Sequence, residues 1–329
     1  MQSPTNSIQN DSLIHPQGFY IMGLISMPYT NVYVMFLTLL YVISTISNCF
    51  VICIICIDHH LHVPKFIAVG NLAVVDLVLS TSLILAMIKI YLFKDNFVEY
   101  KLCLVQMYMY YSFLTLEAFS IAVLAFDRLV AICFPLRQNA INSSTTMTVI
   151  VAAMWALSHG VTMLAVSTMT YLSFCNSVQV SSYFCDYAPV FRLACNDVSL
   201  QWTIATVLIL VCNVVPLSFI VLSYTCILIS VFQMKNVESR FKALATCTEH
   251  LILVAIFYIP MCIIFMIGLF RVAINQDLRI VGLSLCSFIP PCTNPIIYSL
   301  KTKELRSRVY FLFQRTFHVQ RHSIRPHNK

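Results

Sequence analysis

Positions 124–133 read LAFDRLVAIC and close a hydrophobic run that begins near Leu102. The acid–base pair Asp127 and Arg128 lies near the end of this run, whose one earlier charge is Glu117. Charged side chains within a membrane are costly, and those that occur there pair with one another or serve a function. The stretch therefore indicates a membrane-spanning helix that ends in functional charges.

The whole chain has the composition of a protein that crosses a membrane several times. Of its 329 residues, 59% are hydrophobic and only 10% are charged, a balance that is rare in soluble proteins. A helix needs about 20 apolar residues to span a bilayer, whereas a closed barrel would show short alternating segments. We therefore predict an all-α membrane protein with a seven-transmembrane helix bundle. The predicted spans cover approximately residues 32–57, 66–92, 102–133, 146–168, 199–234, 243–270 and 280–300.

The distribution of Lys and Arg predicts how the chain is oriented in the membrane. Residues 1–31 contain none, whereas residues 301–329 contain eight, and this tail and the loops on its side hold 14 of the 20. We therefore expect an extracellular N-terminal tail over 1–31, a membrane domain over 32–300, and a cytosolic amphipathic helix and tail over 301–329. The net charge of +7 then reflects topology and attraction to inner-leaflet lipids, and it indicates no nucleic-acid partner.

Four of the fourteen cysteines, at positions 103, 175, 185 and 195, lie on the predicted outer side. An even number of cysteines on an oxidising side suggests two disulfides, and the sequence alone allows three pairings. On the same side, Asn10-Asp11-Ser12 matches the sequon for N-glycosylation. We therefore predict a glycan on Asn10.

Two acidic side chains fall inside predicted spans, Asp76 in the second and Glu117 in the third. Carboxylate oxygens are suitable ligands for a hard cation. Two neighbouring carboxyls can instead share a proton, because like charges disfavour the ionised form of one of them. The sequence leaves both interpretations open, and either would couple ion or proton binding to the shape of the bundle.

Several motifs, found in span order, resemble those of the odorant receptors, a group of rhodopsin-like G-protein-coupled receptors. LAFDRLVAIC is similar to their Met-Ala-Tyr-Asp-Arg-Tyr-Val-Ala-Ile-Cys signature, with three departures that include Leu129. The Phe-Tyr pair of FYIP at 257–260 is of the odorant-receptor type, and its proline is general to rhodopsin-like receptors. Further similar motifs are LHVPKF at 61–66, SY at 223–224, KALATCTEHL at 242–251 and PCTNPIIYSLK at 291–301.

The resemblance implies specific structural sites. It implies the disulfides Cys103–Cys185 and Cys175–Cys195, of which the second is more specific to the odorant class. It also implies an allosteric sodium pocket formed by Asp76, Glu117 and Asn294, and no other cofactor. Switch residues that couple the bundle to a G protein are implied at Asp127, Arg128, Tyr224, Lys242, Pro260, Asn294, Pro295 and Tyr298.

The function that the resemblance implies is recognition of a small odorant within the bundle. Binding would open the cytosolic side to a heterotrimeric G protein of the stimulatory olfactory type and so raise cyclic AMP. The expected location is the plasma membrane of olfactory sensory cilia. Counting from Arg128 and from the span prolines, the predicted ligand-binding residues are Tyr110, Tyr111, Leu114, Thr115, Leu208, Cys212, Tyr258, Met261 and Ser287.

Other classes of function have weaker support in the sequence. Many transporters are built from repeated halves, and the chain shows no internal repeat. An enzyme within the membrane would need a nucleophile–base pair or a metal motif, and His159 and His250 have no convincing partners in the sequence. The alternative that stays open is a rhodopsin-like receptor for a ligand other than an odorant.

Overall fold

The computed structural model of the protein describes residues 13–24, 27–175, 177–270, 272 and 274–301. The predicted glycosylation site at Asn10 and the predicted amphipathic helix beyond Lys301 therefore lie outside the described residues. The structure is an all-α bundle of seven long helices, as predicted. The helices are α1 (Thr30–Ile57), α2 (Pro64–Met87), α3 (Tyr100–Cys133), α4 (Ser144–Ser167), α5 (Ser199–Gln233), α6 (Val237–Leu269) and α7 (Gln276–Lys301).

The helices have the length and hydropathy that membrane spans require. Six of them meet these criteria individually, and α3 meets them together with the bent segment Pro135–Ile141 that follows it, which gives seven. Local signals set several helix starts. Pro64 occupies the first turn of α2, the Ser143 side chain accepts from the backbone N–H of Thr146 before α4, and Asn236 caps α6. These are the residue types that satisfy the free N–H groups at a helix N-terminus.

Helix α3 is the centre of the bundle. It packs against α2, α4, α5 and α6, and nearly all of its side chains from Ser112 to Ala125 are buried. A helix that is buried on all sides is expected to be largely apolar all round. Because α3 runs through the whole core, it contributes residues to every site described below.

A small three-stranded sheet covers one end of the bundle, which we call the outer end. Strand β1 (Gly18–Ile21) lies between β2 (Phe97–Glu99), which is antiparallel to it, and β3 (Gln179–Val180), which is parallel to it. The sheet joins the segment before α1 to the α2–α3 and α4–α5 connections. The N-terminal segment predicted as a tail therefore contributes a strand to the folded domain. The opposite end of the bundle is called the inner end.

The described part of the bundle has two π-helical turns. Ile88–Leu92 directly follows α2, and Leu210–Val214 lies within α5. A π-turn places an extra residue in the helix and rotates the residues that follow it, and such turns are frequent at functional sites. The turn in α5 lies just before Pro216. It therefore changes which side chains of α5 face the interior of the bundle.

Prolines in α7 leave a backbone carbonyl that α1 satisfies. Pro295 has no N–H, so the carbonyl of Pro291 has no intrahelical donor four residues later. The Asn48 amide donates to this carbonyl at 2.9 Å, and the Ser44 hydroxyl does so at 2.9 Å. Both donors are fully buried. The polar residues of α1 therefore compensate for a hydrogen bond that the proline removes.

Candidate functional site

A cavity of about 730 Å³ lies in the outer half of the bundle. Side chains of α3, α4, α5, α6 and α7 form its walls, and the α4–α5 connection forms its roof. Its size and mainly apolar lining are typical of sites for small ligands. It is the candidate binding site of the protein.

Six of the nine predicted ligand-binding residues line this cavity: Tyr110, Tyr111, Leu114, Thr115, Leu208 and Cys212. The other three, Tyr258, Met261 and Ser287, do not line it. The Tyr258 hydroxyl donates to the Ala118 carbonyl at 2.9 Å, and Met261 is fully buried. The Ser287 hydroxyl donates to the Leu283 carbonyl and lies 3.2 Å from the Tyr110 hydroxyl. These side chains hold α6 and α7 against α3 beneath the cavity instead of facing it.

The roof of the cavity is anchored by disulfides. Cys103 at the start of α3 is bonded to Cys185, and Cys175 is bonded to Cys195 within the α4–α5 connection. These are the two pairs that the resemblance implies. The first bond fixes the segment that carries Asp186 directly above α3.

A charged cluster crosses the roof beside the first disulfide. Asp186 accepts from the Tyr111 hydroxyl at 2.6 Å and forms an ion pair of 2.6 Å with Arg279 of α7. The Asp186 side chain is only 4% exposed and that of Arg279 is 25% exposed. A buried charge requires such a partner, because removing a carboxylate from water without one is very unfavourable. The cluster therefore ties the roof to both α3 and α7.

The aromatic side chains of the roof complete the enclosure. The rings of Phe184 and Tyr110 lie 4.4 Å apart, and Tyr187 lines the cavity. Burial raises the pKa of the Tyr183 hydroxyl well above its usual value, and burial likewise raises the pKa of Tyr187. Both phenols therefore stay neutral at physiological pH. None of Asp186, Arg279, Tyr183 and Tyr187 was predicted as a site residue, because no local signal in the sequence assigns a residue of the α4–α5 connection or of the first turn of α7 to the cavity.

The two acids inside the spans meet in the centre of the bundle, below the cavity. The Asn294 amide donates to both oxygens of Asp76, at 3.2 and 3.0 Å. Glu117 interacts electrostatically with Asp76 and lies near the Asn294 amide, although neither of its buried oxygens accepts a hydrogen bond of good geometry among the described residues. The structure thus brings the three predicted residues together. A buried carboxyl that lacks a hydrogen bond needs either a proton or a cation.

At the inner end, Asp127 and Arg128 lie where α3 meets the α3–α4 connection. Asp127 accepts from the Asn142 amide at 2.9 Å, and attractive electrostatic interactions connect it with Arg128 and Lys65. Asp127 is almost fully buried. Asp127 is therefore held by neighbours from α2 and from the α3–α4 connection.

A hydrogen-bond chain next to this pair connects α5, α6 and α3. The Nε2 atom of His250 lies 3.0 Å from the carbonyl of Ile121, and its Nδ1 atom lies 2.7 Å from the Tyr224 hydroxyl. Because a carbonyl only accepts, the neutral ring carries its proton on Nε2, and Tyr224 donates to Nδ1. We call this chain the Tyr224–His250 latch. The latch gives His250 two hydrogen-bond partners that the sequence does not reveal. These partners link three helices and do not form a nucleophile–base pair.

The remaining predicted switch residues occupy different surroundings. Tyr298 is buried in α7, and its hydroxyl has no hydrogen-bond partner among the described residues. Lys242 forms an exposed i,i+4 ion pair with Glu238 at the start of α6. Pro260 lies inside α6, and Pro295 lies inside α7. Proline weakens helix geometry locally, so both helices contain a point at which they can bend.

A seven-helix membrane bundle with a cavity in its outer half and an acid–base pair at its inner end has the architecture of a seven-transmembrane receptor. Comparison with known proteins specifies the family. The olfactory receptor family model matches residues 37–315 of the chain. Olfactory receptor 52K1 of Homo sapiens is 33% identical over 313 residues, which cover 93% of this chain and 98% of that protein.

Two further relatives agree with this result. Olfactory receptor 51E1 of Homo sapiens is 31% identical over 311 residues, covering 94% of this chain and 96% of that protein. Olfactory receptor 2AT4 of Homo sapiens is 29% identical over 303 residues, covering 91% and 94%. The chain belongs to the olfactory receptor family, whose members are multi-pass membrane receptors and not enzymes.

Proposed function

We propose that this protein binds a small odorant in the outer cavity and responds by activating a heterotrimeric G protein of the stimulatory olfactory type. The observation that carries this proposal is the cavity itself. Five helices and a disulfide-anchored roof line it, and its size suits a small organic molecule. The inner end, where we place the G protein, contains the buried Asp127, its neighbour Arg128 and the Tyr224–His250 latch.

The mechanism that we propose is a shift in population between a closed and an open bundle. A ligand moves this equilibrium only if it binds the open form more tightly. Cavity residues of α6 such as Ile264 and Phe265 would transmit the preference, because α6 can bend at Pro260. Opening would break the latch, release Arg128 from Asp127, and let Tyr224 and Tyr298 move toward Arg128. The exposed inner surface would accept a helix of the G protein.

The proposal includes an orientation in the cell. The outer end faces the extracellular side, and the inner end and the basic tail face the cytosol and the inner-leaflet lipids. The excess of Lys and Arg in residues 301–329 supports this topology. The proposed location is the plasma membrane of sensory cilia.

The acids in the centre of the bundle form the proposed allosteric ion site. Asp76, Glu117 and Asn294 would bind one sodium ion through oxygen atoms when the bundle is closed. A proton shared between the two carboxyls is the competing proposal. Replacement of sodium by N-methylglucamine at constant ionic strength separates them. Sodium binding predicts that basal signalling rises and that Asp76→Asn abolishes this rise, whereas a shared proton predicts a response to pH and none to sodium.

The decisive experiment measures cyclic AMP in cells that express this chain with the stimulatory olfactory G protein. Mixed odorants are applied, surface expression is measured in parallel, and Arg128→Ala is the matched variant. A ligand-dependent rise that Arg128→Ala abolishes at equal surface expression is the expected result. No response to any mixture at proven surface expression would contradict the odorant proposal. It would favour the alternative, a rhodopsin-like receptor for another small ligand.

A further inference from the structure

The inner end of the cavity is polar on one side and apolar on the other. The difference lies in the residue of each helix that lines the cavity deepest in the bundle. On α3, α4 and α5 these residues are Thr115, Thr162 and Asn213, whereas on α6 and α7 they are Ile264 and Leu283. We call the first three the polar floor. Two of them, Thr162 and Asn213, are not among the ligand-binding residues predicted from the sequence.

The polar floor is buried, and part of its hydrogen-bonding capacity is unused. Thr115 is 9% exposed, Thr162 is 3% exposed and Asn213 is 8% exposed. The Thr115 hydroxyl is within hydrogen-bond reach of the Cys212 thiol. Among the described residues, the side chains of Thr162 and Asn213 make no hydrogen bond. Buried polar groups are normally bonded, so unpaired ones that face a cavity indicate a ligand or water that completes them.

Helical spacing explains why Asn213 faces the cavity. Trp202, Thr206, Ile209 and Asn213 follow one another at intervals of three or four residues, so they share one face of α5, and all four line the cavity. Asn213 lies within the π-turn Leu210–Val214. The fold thus places an amide, with both donors and an acceptor, at the inner end of the cavity.

Among the described residues, no charged side chain lines the inner end of the cavity. The charged lining residues are Asp186, Arg192 and Arg279, all in its outer half. Asp186 and Arg279 neutralise each other. The Arg192 guanidinium lies 4.8 Å from the centre of the Trp202 ring. A charged ligand group at the polar floor would therefore have no counter-ion among the side chains that line the cavity, which is strongly unfavourable.

From this arrangement we infer that the cavity selects neutral oxygen-bearing ligands, such as aldehydes, ketones, esters and alcohols. The ligand oxygen bonds to the polar floor, and its hydrocarbon part lies against Ile264 and the other apolar residues of α6. Free carboxylates, amines and plain hydrocarbons bind more weakly. The inference rests on the proposed function, because it names the ligand class for the same site.

The test uses the purified full-length receptor and measures ligand-induced thermal stabilisation alongside cyclic AMP in cells. The probes are matched sets on linear and cyclic skeletons, for example octanal, octanol, octane, octanoate and octylamine, and camphor with its parent hydrocarbon. The variants Asn213→Leu and Thr162→Val remove hydrogen-bonding groups while keeping the branching pattern of each side chain. Thr225→Val is the matched control, because the Thr225 hydroxyl bonds within its own helix to Val221 and is exposed away from the cavity.

We expect neutral oxygenates to stabilise the receptor more than the other members of their sets. One lost hydrogen bond should weaken their binding about tenfold in Asn213→Leu and Thr162→Val. Binding of the parent hydrocarbon should not fall in these variants, and Thr225→Val should resemble the unmodified receptor. Equal binding across a set, preference for the charged members, or no binding by any set would overturn the inference. Binding of oxygenates without a cyclic AMP response would instead uphold the inference and contradict the proposed signalling function.

Discussion

At the scale of single residues, His250 is the clearest example of a side chain whose role depends on both of its ring nitrogens. It joins Tyr224 of α5 to the Ile121 carbonyl of α3 while itself belonging to α6. A neutral imidazole is the side chain that can accept on one nitrogen and donate on the other. Substitution by an apolar ring of similar size removes both bonds without leaving a large cavity.

We expect His250→Phe to raise signalling in the absence of ligand. Two lost hydrogen bonds, at about 0.5–1.5 kcal/mol each, would shift the closed–open equilibrium by about 5–150-fold. Basal cyclic AMP per receptor at the cell surface measures the effect. His159→Phe is the control, because it removes only the hydrogen bond to Tyr108. Unchanged basal activity in His250→Phe would show that the latch does not hold the bundle closed.

Two glycines provide a second test at this scale. A Cβ atom at Gly268 or at Gly160 would meet no atom within 4 Å, but only Gly268 lines the cavity. Overfilling a binding site typically costs about 1–3 kcal/mol, so Gly268→Leu should raise the half-maximal odorant concentration about tenfold. Gly160→Leu should leave it unchanged. Dose–response curves at equal surface expression compare the two, and equal effects would argue against this cavity as the odorant site.

At the scale of elements, the contact between α1 and α7 is shaped by a missing N–H group. The Pro291 carbonyl receives its hydrogen bonds from Asn48 and Ser44 because Pro295 cannot donate one. Interhelical hydrogen bonds in membranes are worth about 0.6 kcal/mol on average. A carbonyl left without any donor costs more, about 1–3 kcal/mol.

These values predict that the two donors act non-additively. Asn48→Ala alone should lower thermal stability slightly, because Ser44 still donates. The double variant Ser44→Ala/Asn48→Ala should lose more than the sum of the single losses. Adding Pro295→Ala should restore part of the loss by supplying an N–H from α7. Thermal unfolding of the purified receptor in detergent measures the single variants Ser44→Ala and Asn48→Ala, the double variant and the triple variant, and strict additivity would contradict this explanation.

At the scale of the whole molecule, the roof connects parts of the chain that are far apart in sequence. The ion pair between Asp186 and Arg279 and the disulfide Cys103–Cys185 join the α4–α5 connection to α7 and α3. Removing one member of a buried ion pair leaves the other charge uncompensated and costs about 3–5 kcal/mol. A substitution of one member of this ion pair should therefore destabilise the roof, whereas a double substitution that keeps opposite charges should be tolerated better.

Arg279→Leu should strongly reduce thermal stability and surface expression, since it leaves the buried Asp186 carboxylate without a counter-ion. The exchange Asp186→Arg/Arg279→Asp should recover part of the loss. Asp95→Asn is the control, because its partner Lys89 and Asp95 itself are both more exposed and such pairs contribute little. If the exchange is no better than the single variant, the ion pair is not what stabilises the roof.

The sequence alone determines the features of this protein that depend on local composition and on short motifs. Apolar runs of sufficient length predict seven helices, and the helices of the structure lie at the same places. Hydropathy is a property of each segment, so it needs no knowledge of the neighbours. The motifs around Arg128, Pro260 and Asn294 indicate the family for the same reason, because each is read within a few residues.

Only the tertiary structure decides which side chains meet. Tyr258, Met261 and Ser287 are predicted to line the cavity but pack beneath it, because helix tilt and depth set which residues face the cavity. Asn213 lines the cavity on the same face of α5 as Thr206 and Ile209, but the spacing alone does not show which face of α5 is turned toward the cavity. Asp186 and Arg279 are 93 residues apart, and no local signal pairs them. The chemistry of the cavity therefore arises from the packing of the helices against one another, which the order of residues along one helix does not encode.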